Sequence, residues 1–360
     1  MTNVQAAPRV FEGPLLEVTD LRTHFRTERG LVRAVDGVSF SLDRGVSLGV
    51  VGESGSGKTV LSRSIMGLVH GRSTVLSGSV RFEGNEILGL APKQMRHLWG
   101  QEMAMVFQDP MSSLNPLMKI GRQIAEPLRI HLGMGRGDVR ATAVQLLRDV
   151  RIPEPERRLD QYPHELSGGM RQRVMIAIAL ACGPTMLFAD EPTTALDVTV
   201  QAQILDLIGE QRRDRNMSVI LVTHDLGVVA GHTDEIAVMY GGRVVEKAPT
   251  KSLFADMKMP YTKALLDSIP RLEDPSHTRM TAIPGRPPDL VKPPPGCRFA
   301  PRCAYARERC LVEEPPLIAA ERPDHLYACW YPVGSPEFRE RDEELDRSRP
   351  VALAPTEQHV

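Results

Sequence analysis

Short apolar runs alternate with a helix-like segment in the stretch from 185 to 223 of the 360-residue chain. The runs at 185–189 and 218–223 have the length and composition of buried strands. Residues 201–213, between them, predict a helix. Because a strand–helix–strand order joins parallel neighbours, the pattern predicts a mostly parallel sheet covered by helices. The predicted fold class is therefore α/β.

Other patterns predict antiparallel and helical parts beside this sheet. Alternating runs at 15–18 and 38–42 predict strands in the first part of the chain. A hairpin is predicted over 236–246, with its turn at Gly241-Gly242. A helix is predicted over 138–151, because apolar residues recur there at helical spacing. These residues are Val139, Ala143, Leu146, Leu147 and Val150.

The segment 52–59 has the phosphate-binding pattern G-x-x-x-x-G-K-[ST], with an apolar strand predicted at 47–51 before it and a helix after it. It consists of Gly52, Glu53, Ser54, Gly55, Ser56, Gly57, Lys58 and Thr59. The glycines let the backbone point its N–H groups at phosphate oxygens, and the helix N-terminus adds its positive dipole end. Lys58 is expected to reach the β- and γ-phosphates, and Thr59 to hold Mg²⁺. The chain is therefore predicted to bind a nucleoside triphosphate.

Charge and hydropathy narrow the class of protein. The 44 Lys and Arg residues nearly balance the 45 Asp and Glu residues, which argues against bulk electrostatic binding to nucleic acid. No run of eighteen uninterrupted apolar residues occurs, so no transmembrane helix is predicted. The first fourteen residues lack the pattern of a signal peptide. We expect a cytosolic protein that meets a membrane only through partner proteins.

An acidic pair follows the predicted strand at 185–189. Asp190, at the strand end, is placed to complete the coordination of Mg²⁺. Glu191 is placed to polarise the attacking water or accept its proton. The two carboxylates therefore predict the second half of an ATP site.

Residues 166–173, LSGGMRQR, lie directly upstream of this pair and resemble the signature motif of ABC-type ATPases. The hydroxyl of Ser167 and the N–H groups of Gly168 and Gly169 lie at a helix start, which suits binding of a γ-phosphate. In the family, this motif closes over the ATP of a second subunit. The resemblance implies a P-loop ABC-type nucleotide-binding domain with antiparallel β and helical subdomains.

Further positions match the same family in order along the chain. Gln108 resembles the glutamine that senses Mg²⁺ and water, and Asp197 lies in a segment that resembles the loop crossing the dimer interface. His224 resembles the histidine that contacts the γ-phosphate. Phe25 is a candidate for stacking on adenine, with a place in the core as the alternative.

The segments 166–178 and 192–203 resemble one ATPase subunit of dipeptide and oligopeptide importers. Residues 109–116 fit the same subfamily, and 259–266 resembles part of its C-terminal extension. Met170 departs from the commonest signature, which has glutamine there. The resemblance implies that ATP hydrolysis drives import of short peptides. The alternatives are an importer of nickel or another solute, and a soluble ABC ATPase without a transport role.

The resemblance also implies partners. We expect two permease subunits, an extracytoplasmic solute-binding protein and a second ABC ATPase subunit, but no nucleic acid. Because the Met170 signature resembles one of two distinct subunits, a heterodimer is expected. The expected location is peripheral, on the cytoplasmic face of the cell membrane.

Four of the five cysteines cluster near the C-terminus with the spacing C-x5-C-x6-C-x18-C, at Cys297, Cys303, Cys310 and Cys329. Four thiolates can ligate a [4Fe-4S] cluster or zinc. The short C-x2-4-C knuckles of structural zinc sites are absent, which favours [4Fe-4S]. Zinc, with His325 as a possible substitute ligand, and four free thiols are the alternatives.

Composition predicts three regions. The nucleotide-binding domain is expected over 14–250, and a proline-rich, irregular extension with the cysteine cluster over 251–335. Residues 336–360 mix both charge signs with few large apolar residues, so a disordered tail is expected there.

Overall fold

A computed structural model describes residues 12–194, 196–269 and 283–348. The strands are β1 (Leu16–Thr27), β2 (Gly30–Leu42), β3 (Ser47–Val51), β4 (Thr74–Phe82), β5 (Asn85–Glu86), β6 (Met103–Val106), β7 (Met186–Asp190), β8 (Ser218–Thr223), β9 (Glu235–Tyr240), β10 (Arg243–Pro249), β11 (Ile318–Ala319) and β12 (Leu326–Tyr327). The helices are α1 (Lys58–Ile65), α2 (Pro92–Met95), α3 (Pro110–Ser113), α4 (Ile120–Leu132), α5 (Arg136–Asp149), α6 (Pro155–Arg158), α7 (Gly168–Leu180), α8 (Val198–Arg215), α9 (Leu226–Ala230), α10 (Thr250–Ala255), α11 (Pro260–Asp267), α12 (Glu308–Val312) and α13 (Pro336–Ser348).

The larger sheet has the strand order β11-β12-β10-β9-β3-β8-β7-β6. The strands from β9 to β6 are parallel, as predicted, whereas β9, β10, β12 and β11 pair antiparallel. The predicted hairpin is confirmed, because Tyr240 pairs with Arg243 across a turn in which both glycines have positive φ.

The parallel strands are continuous apolar runs because both of their faces are buried. On one face, Phe188 and Ile220 join a core shared with the smaller sheet and α1. On the other face, Leu187 and Leu221 join a core shared with the helices. Successive residues of one strand therefore belong to two different cores.

The smaller sheet has the order β2-β1-β4-β5 and is antiparallel throughout. The helices α4, α5 and α7 pack against one another. Both the antiparallel subdomain and the helical subdomain are thus present, as the fold class implied. Among the described residues, no helix has the length and apolarity needed to cross a membrane.

The extension is less irregular than predicted. Its strand β12 pairs with β10 at Leu326–Lys247 and Tyr327–Glu246, so the extension continues the larger sheet. The predicted boundary at 250 falls at the first residue of α10, directly after the end of β10.

The expectation of a disordered tail over 336–360 is wrong for 336–348, which forms α13. Phe338 is buried and its ring stacks on Tyr305, with centroids 4.0 Å apart. The hydroxyl of Tyr305 donates a hydrogen bond to Asp342 (2.7 Å). This aromatic contact, the hydrogen bond to Asp342 and the ion pair of Arg307 with Glu340 attach α13 to the extension. The rest of the expected tail, 349–360, lies outside the described residues.

Candidate active site

The phosphate-binding loop lies between β3 and α1, at the carboxyl end of a central strand, which is where α/β folds bind ligands. Gly57 has φ +102°, and a Cβ there would lie 2.1 Å from the carbonyl oxygen of Ala34. Only glycine fits this position. The Nζ of Lys58 donates to the carbonyls of Gly52 (2.7 Å) and Glu53 (3.0 Å). Burial lowers the pKa of Lys58, and the charges of Glu191 and Asp190 oppose that shift.

Asp190 is fully buried at the end of β7. Its Oδ1 accepts a hydrogen bond from the hydroxyl of Thr59 (2.9 Å), which joins the start of α1 to the end of β7. Within the described part of the chain, its Oδ2 is buried with no hydrogen-bond partner. Burial raises the pKa of Asp190. A hydroxyl beside an unpartnered carboxylate oxygen is a donor set that suits Mg²⁺.

Glu191 lies at the centre of a polar cluster formed by three separate segments. The Nε2 of Gln108 and the hydroxyl of Thr194 donate to its Oε2, at 2.9 and 3.0 Å. The Nδ1 of His224 lies 3.5 Å from its Oε1. The backbone of Glu191 is left-handed (φ +46°), and its N–H donates to the carbonyl of Val222 (2.9 Å). The structure therefore brings Gln108, Glu191 and His224 together.

The signature segment caps a helix. Ser167 is the N-cap of α7, and its hydroxyl accepts a hydrogen bond from the N–H of Met170 (3.3 Å). Gly169 lies against α8, because a Cβ there would lie 2.9 Å from Val200. Asp197 caps α8 by accepting from the N–H of Val200 (2.9 Å). The signature motif and the predicted interface loop are thus neighbours.

Three of the predicted site residues lie in surroundings that do not indicate their role. Phe25 is half-buried on β1, where it pairs with Val32 and Thr74. Ser54 and Gly55 lie exposed at the tip of the phosphate-binding loop. Stacking of Phe25 on adenine stays a prediction.

Two residues that contact the phosphate-binding loop were not predicted. The N–H of Glu53 donates to the hydroxyl of Tyr261 (2.9 Å), and the carboxylate of Glu53 is held by Arg302. Tyr261 is 208 residues and Arg302 is 249 residues away along the chain. The one sequence signal for these contacts was Glu53 itself, an acidic residue at a variable position of the phosphate-binding motif.

The four clustered cysteines line one small cavity with aromatic walls that include Phe299 and Trp330. Burial raises the pKa of Cys297 to about 11 and that of Cys303 to about 12, and it also raises the pKa of Cys329. The thiol of Cys297 therefore stays protonated at neutral pH without a ligand.

The structure does not confirm the metal-binding expectation. Among the described residues, no group of three or more His, Cys, Asp or Glu side chains has the arrangement that holds a metal ion. The proposed substitute ligand His325 is buried, and its Nε2 lies 2.8 Å from the Oε1 of buried Glu246. His325 is also not among the residues that line the cysteine cavity, so the structure does not support a zinc site with His325.

Two family models match the chain. The ABC transporter model matches residues 35–194, and the model of the oligopeptide/dipeptide transporter C-terminal region matches residues 245–310. The first contains the phosphate-binding loop, the signature and Glu191. The second contains Tyr261, Arg302 and three of the four clustered cysteines.

Curated relatives match most of the chain. It is 51% identical over 302 residues to a putative peptide import ATP-binding protein of Brucella abortus, which covers 84% of this chain and 91% of the relative. It is 48% identical over 321 residues to the oligopeptide transport ATP-binding protein OppD of Salmonella typhimurium, covering 89% and 94%. For OppD of Bacillus subtilis the identity is 50% over 305 residues, covering 84% and 85%.

Solved structures match the nucleotide-binding part. The dimeric structure of an ATP-binding cassette in a post-hydrolysis state, bound to ADP and Pi, superposes with a TM-score of 0.59 at 25% identity. That match covers 65% of this chain and 98% of the other. A dimeric structure of a bacterial ABC transporter cassette gives the same TM-score at 26% identity, with the same shares covered.

Proposed function

This chain belongs to the ABC transporter family, in its oligopeptide and dipeptide importer branch, and we propose that residues 52–59, Asp190 and Glu191 are its contribution to the ATP site. It is the ATP-binding subunit of a peptide importer, and it hydrolyses ATP. The observation that carries the residue assignment is the polar cluster around Glu191, in which Gln108 and Thr194 donate to one carboxylate oxygen and His224 lies 3.5 Å from the other.

Binding would begin at the phosphate-binding loop. The Nζ of Lys58 exchanges its bonds to the two loop carbonyls for the β- and γ-phosphate oxygens. Thr59 and Asp190, with Gln108, would hold Mg²⁺, and the ion would supply positive charge that neutralises the phosphates. The unpartnered Oδ2 of Asp190 supports this assignment, because a buried lone carboxylate oxygen is costly unless a ligand satisfies it.

Glu191 would then orient the attacking water and take its proton. The water oxygen forms a bond to the γ-phosphorus, and the bond from that phosphorus to the β–γ bridging oxygen breaks, giving ADP and phosphate. Gln108 fixes one carboxylate oxygen of Glu191, and His224 lies beside the other. His224 is 63% exposed, which leaves its ring free to reach a γ-phosphate.

A second subunit would complete the site. Gly168 lies against Leu196 and Gly169 against Val200 of α8, and we propose that these glycines and Ser167 close over the ATP of the opposing chain. The dimeric state of the two solved cassettes supports this arrangement. We further propose that the opposing chain is a different ATPase subunit. The pair would bind two permease subunits on the cytoplasmic face of the membrane, and an extracytoplasmic protein would deliver the peptide.

Transport by the assembled complex tests this function. The chain, its permease subunits and the second ATPase subunit are reconstituted in vesicles with the solute-binding protein, and ATP-dependent uptake of a labelled dipeptide is measured. A complex with Glu191→Gln serves as the inactive control. ATP hydrolysis without uptake of any short peptide would contradict the substrate class.

The cysteine cluster is proposed to hold [4Fe-4S]. The support is the donor set, since four thiols from three segments line one cavity in an extension with little core of its own. Protein purified without oxygen should contain about four iron and four sulfide per chain. Cys303→Ser should abolish both, whereas Cys182→Ser, a lone thiol elsewhere, should not. One zinc without sulfide, or four titratable thiols without metal, would contradict the proposal.

A further inference from the structure

The phosphate-binding loop is held from outside the nucleotide-binding domain through Glu53. All three polar groups of this residue are engaged. Its carbonyl accepts from Lys58, its N–H donates to the hydroxyl of Tyr261, and its carboxylate accepts two bonds from Arg302. Glu53 therefore links the lysine that would meet the phosphates to two residues of the C-terminal part of the chain.

Arg302 binds the carboxylate of Glu53 with both ends of its guanidinium. The Nη1 donates to Oε2 (2.5 Å) and the Nη2 to Oε1 (2.9 Å), which is the bidentate geometry that fixes a carboxylate in direction as well as in place. The remaining N–H groups donate to the hydroxyl of Tyr240 (3.2 Å) and to the carbonyls of Ile283 (3.2 Å) and Pro284 (2.8 Å). The five N–H donors of the guanidinium thus have five acceptors.

Burial restricts the position of the Arg302 side chain. The side chain of Arg302 is only 4% exposed, and Tyr240 and Tyr261 are fully buried beside it. The rings of Tyr240, Tyr261 and Phe299 pack with centroids 4.5 to 5.2 Å apart. A guanidinium that is surrounded in this way has one position, so the carboxylate that it binds also has one position.

The charge of Glu53 connects its pairing with Arg302 to the binding of ATP. Its carboxylate is close enough to act electrostatically on Lys58. An unpaired carboxylate at this place would repel the phosphates of ATP and compete with them for Lys58. Pairing with Arg302 cancels the charge and holds the loop in the shape that presents Lys58.

We propose that Arg302, supplied by the C-terminal extension, is a positioning residue for ATP binding, which acts by pairing with Glu53 in the phosphate-binding loop. The inference rests on the proposed role of residues 52–59. It makes the extension part of the ATP site, although Arg302 itself touches Glu53 and not the nucleotide-binding groups.

The experiment measures the affinity of the full-length chain for MgATP by isothermal titration. Arg302→Gln should weaken ATP binding about 10-fold or more, because it leaves the Glu53 carboxylate unpaired. Arg302→Lys should be intermediate, since it keeps the charge and loses the bidentate geometry. The matched control is Arg309→Gln, because Arg309 also precedes a clustered cysteine but pairs with Glu313 (2.7 Å), which is not part of the loop. Its affinity should equal that of the wild type.

The double variant Glu53→Gln/Arg302→Gln separates positioning from folding. If the defect comes from a stranded carboxylate, removing that carboxylate should restore most of the affinity. Binding by Arg302→Gln within twofold of the wild type, or a double variant as weak as the single one, would overturn the proposal. The proposed function has its own control, because a wild-type chain that binds ATP no better than Lys58→Ala would contradict the site itself.

Discussion

The phosphate-binding loop and the cysteine-rich extension are both irregular in backbone, but they are held in different ways. The loop follows β3 and precedes α1, so a central parallel strand and a helix fix its two ends. The extension has short helices and two two-residue strands, and it is attached by buried charged contacts. Arg298 pairs with Asp36 of β2, and Arg302 pairs with Glu53. Elements next to the loop in sequence fix its two ends, whereas the extension is attached by ion pairs and by the pairing of β12 with β10, all between residues far apart in the chain.

The strongest test of the catalytic part of this comparison is Glu191→Gln. ATP hydrolysis should fall by about 10³-fold, because the amide cannot take the proton of water. ATP binding should remain near the wild-type value. Gln108→Ala is the comparison variant, because it removes a hydrogen-bond donor to Glu191 but leaves the base in place. Turnover by Glu191→Gln within tenfold of the wild type would remove Glu191 from this role.

Phe338→Ala tests how the extension holds its last helix. Loss of a buried aromatic side chain should cost about 3 kcal/mol, confined to α13 and its contact with Tyr305. Hydrogen exchange should show loss of protection over 336–348, with little change in β3 or α1. A matched change at exposed Leu311 should have no such effect. Equal loss of protection in the sheet would show that the two regions unfold as one unit.

Lys58→Ala tests the loop itself. Removal of the charged donor should weaken ATP binding about 30-fold, an interaction of about 2 kcal/mol for a charged hydrogen bond. The thermal unfolding temperature without nucleotide should change little, because the amine only spans two carbonyls of its own loop. The affinity is measured by titration. An affinity within threefold of the wild type would contradict the assignment of this lysine.

The smallest expected effect is on the stability that the contact between Asp36 and the extension provides, and it appears at low pH. Burial alone would raise the pKa of Asp36, but the hydrogen bond and charge of Arg298, with Arg243 and His24 nearby, lower it to about 2. A lowered pKa stabilises the fold above about pH 4, and this stabilisation is lost as the pH falls toward 2. The loss should be at most about 2 kcal/mol. The guanidinium of Arg22 also lies beside the carboxylate of Asp36, at 3.1 Å.

Urea unfolding at pH 5 and at pH 2.5 measures this effect. The free-energy difference between the wild type and Asp36→Asn should shrink at the lower pH. Asp289→Asn, which removes an exposed ion pair with Arg29, is the control and should show no such trend. A difference that is independent of pH would show that Asp36 contributes through packing and not through its charge.

Local pattern was sufficient to predict the parts of the fold in which both faces of a strand are buried. The strands at 47–51 and 218–223 were predicted with their observed ends, because a continuous apolar run has few alternatives. The grouping of Gln108 with Glu191 was reached only through family resemblance, since 83 residues separate the two. Arg302 was missed because nothing next to it in sequence indicates its partner. The domain limits at 14–250 and 251–335 stay a prediction.

Pairing of β12 with β10 has a consequence for any shortened form of this chain. β10 would otherwise be the edge of the larger sheet, with a free row of backbone donors and acceptors. Open edges of this kind recruit strands from other molecules and lead to aggregation. A chain that ends at Pro249 would therefore carry every nucleotide-binding motif and still lack β12, the strand that covers this edge of the sheet.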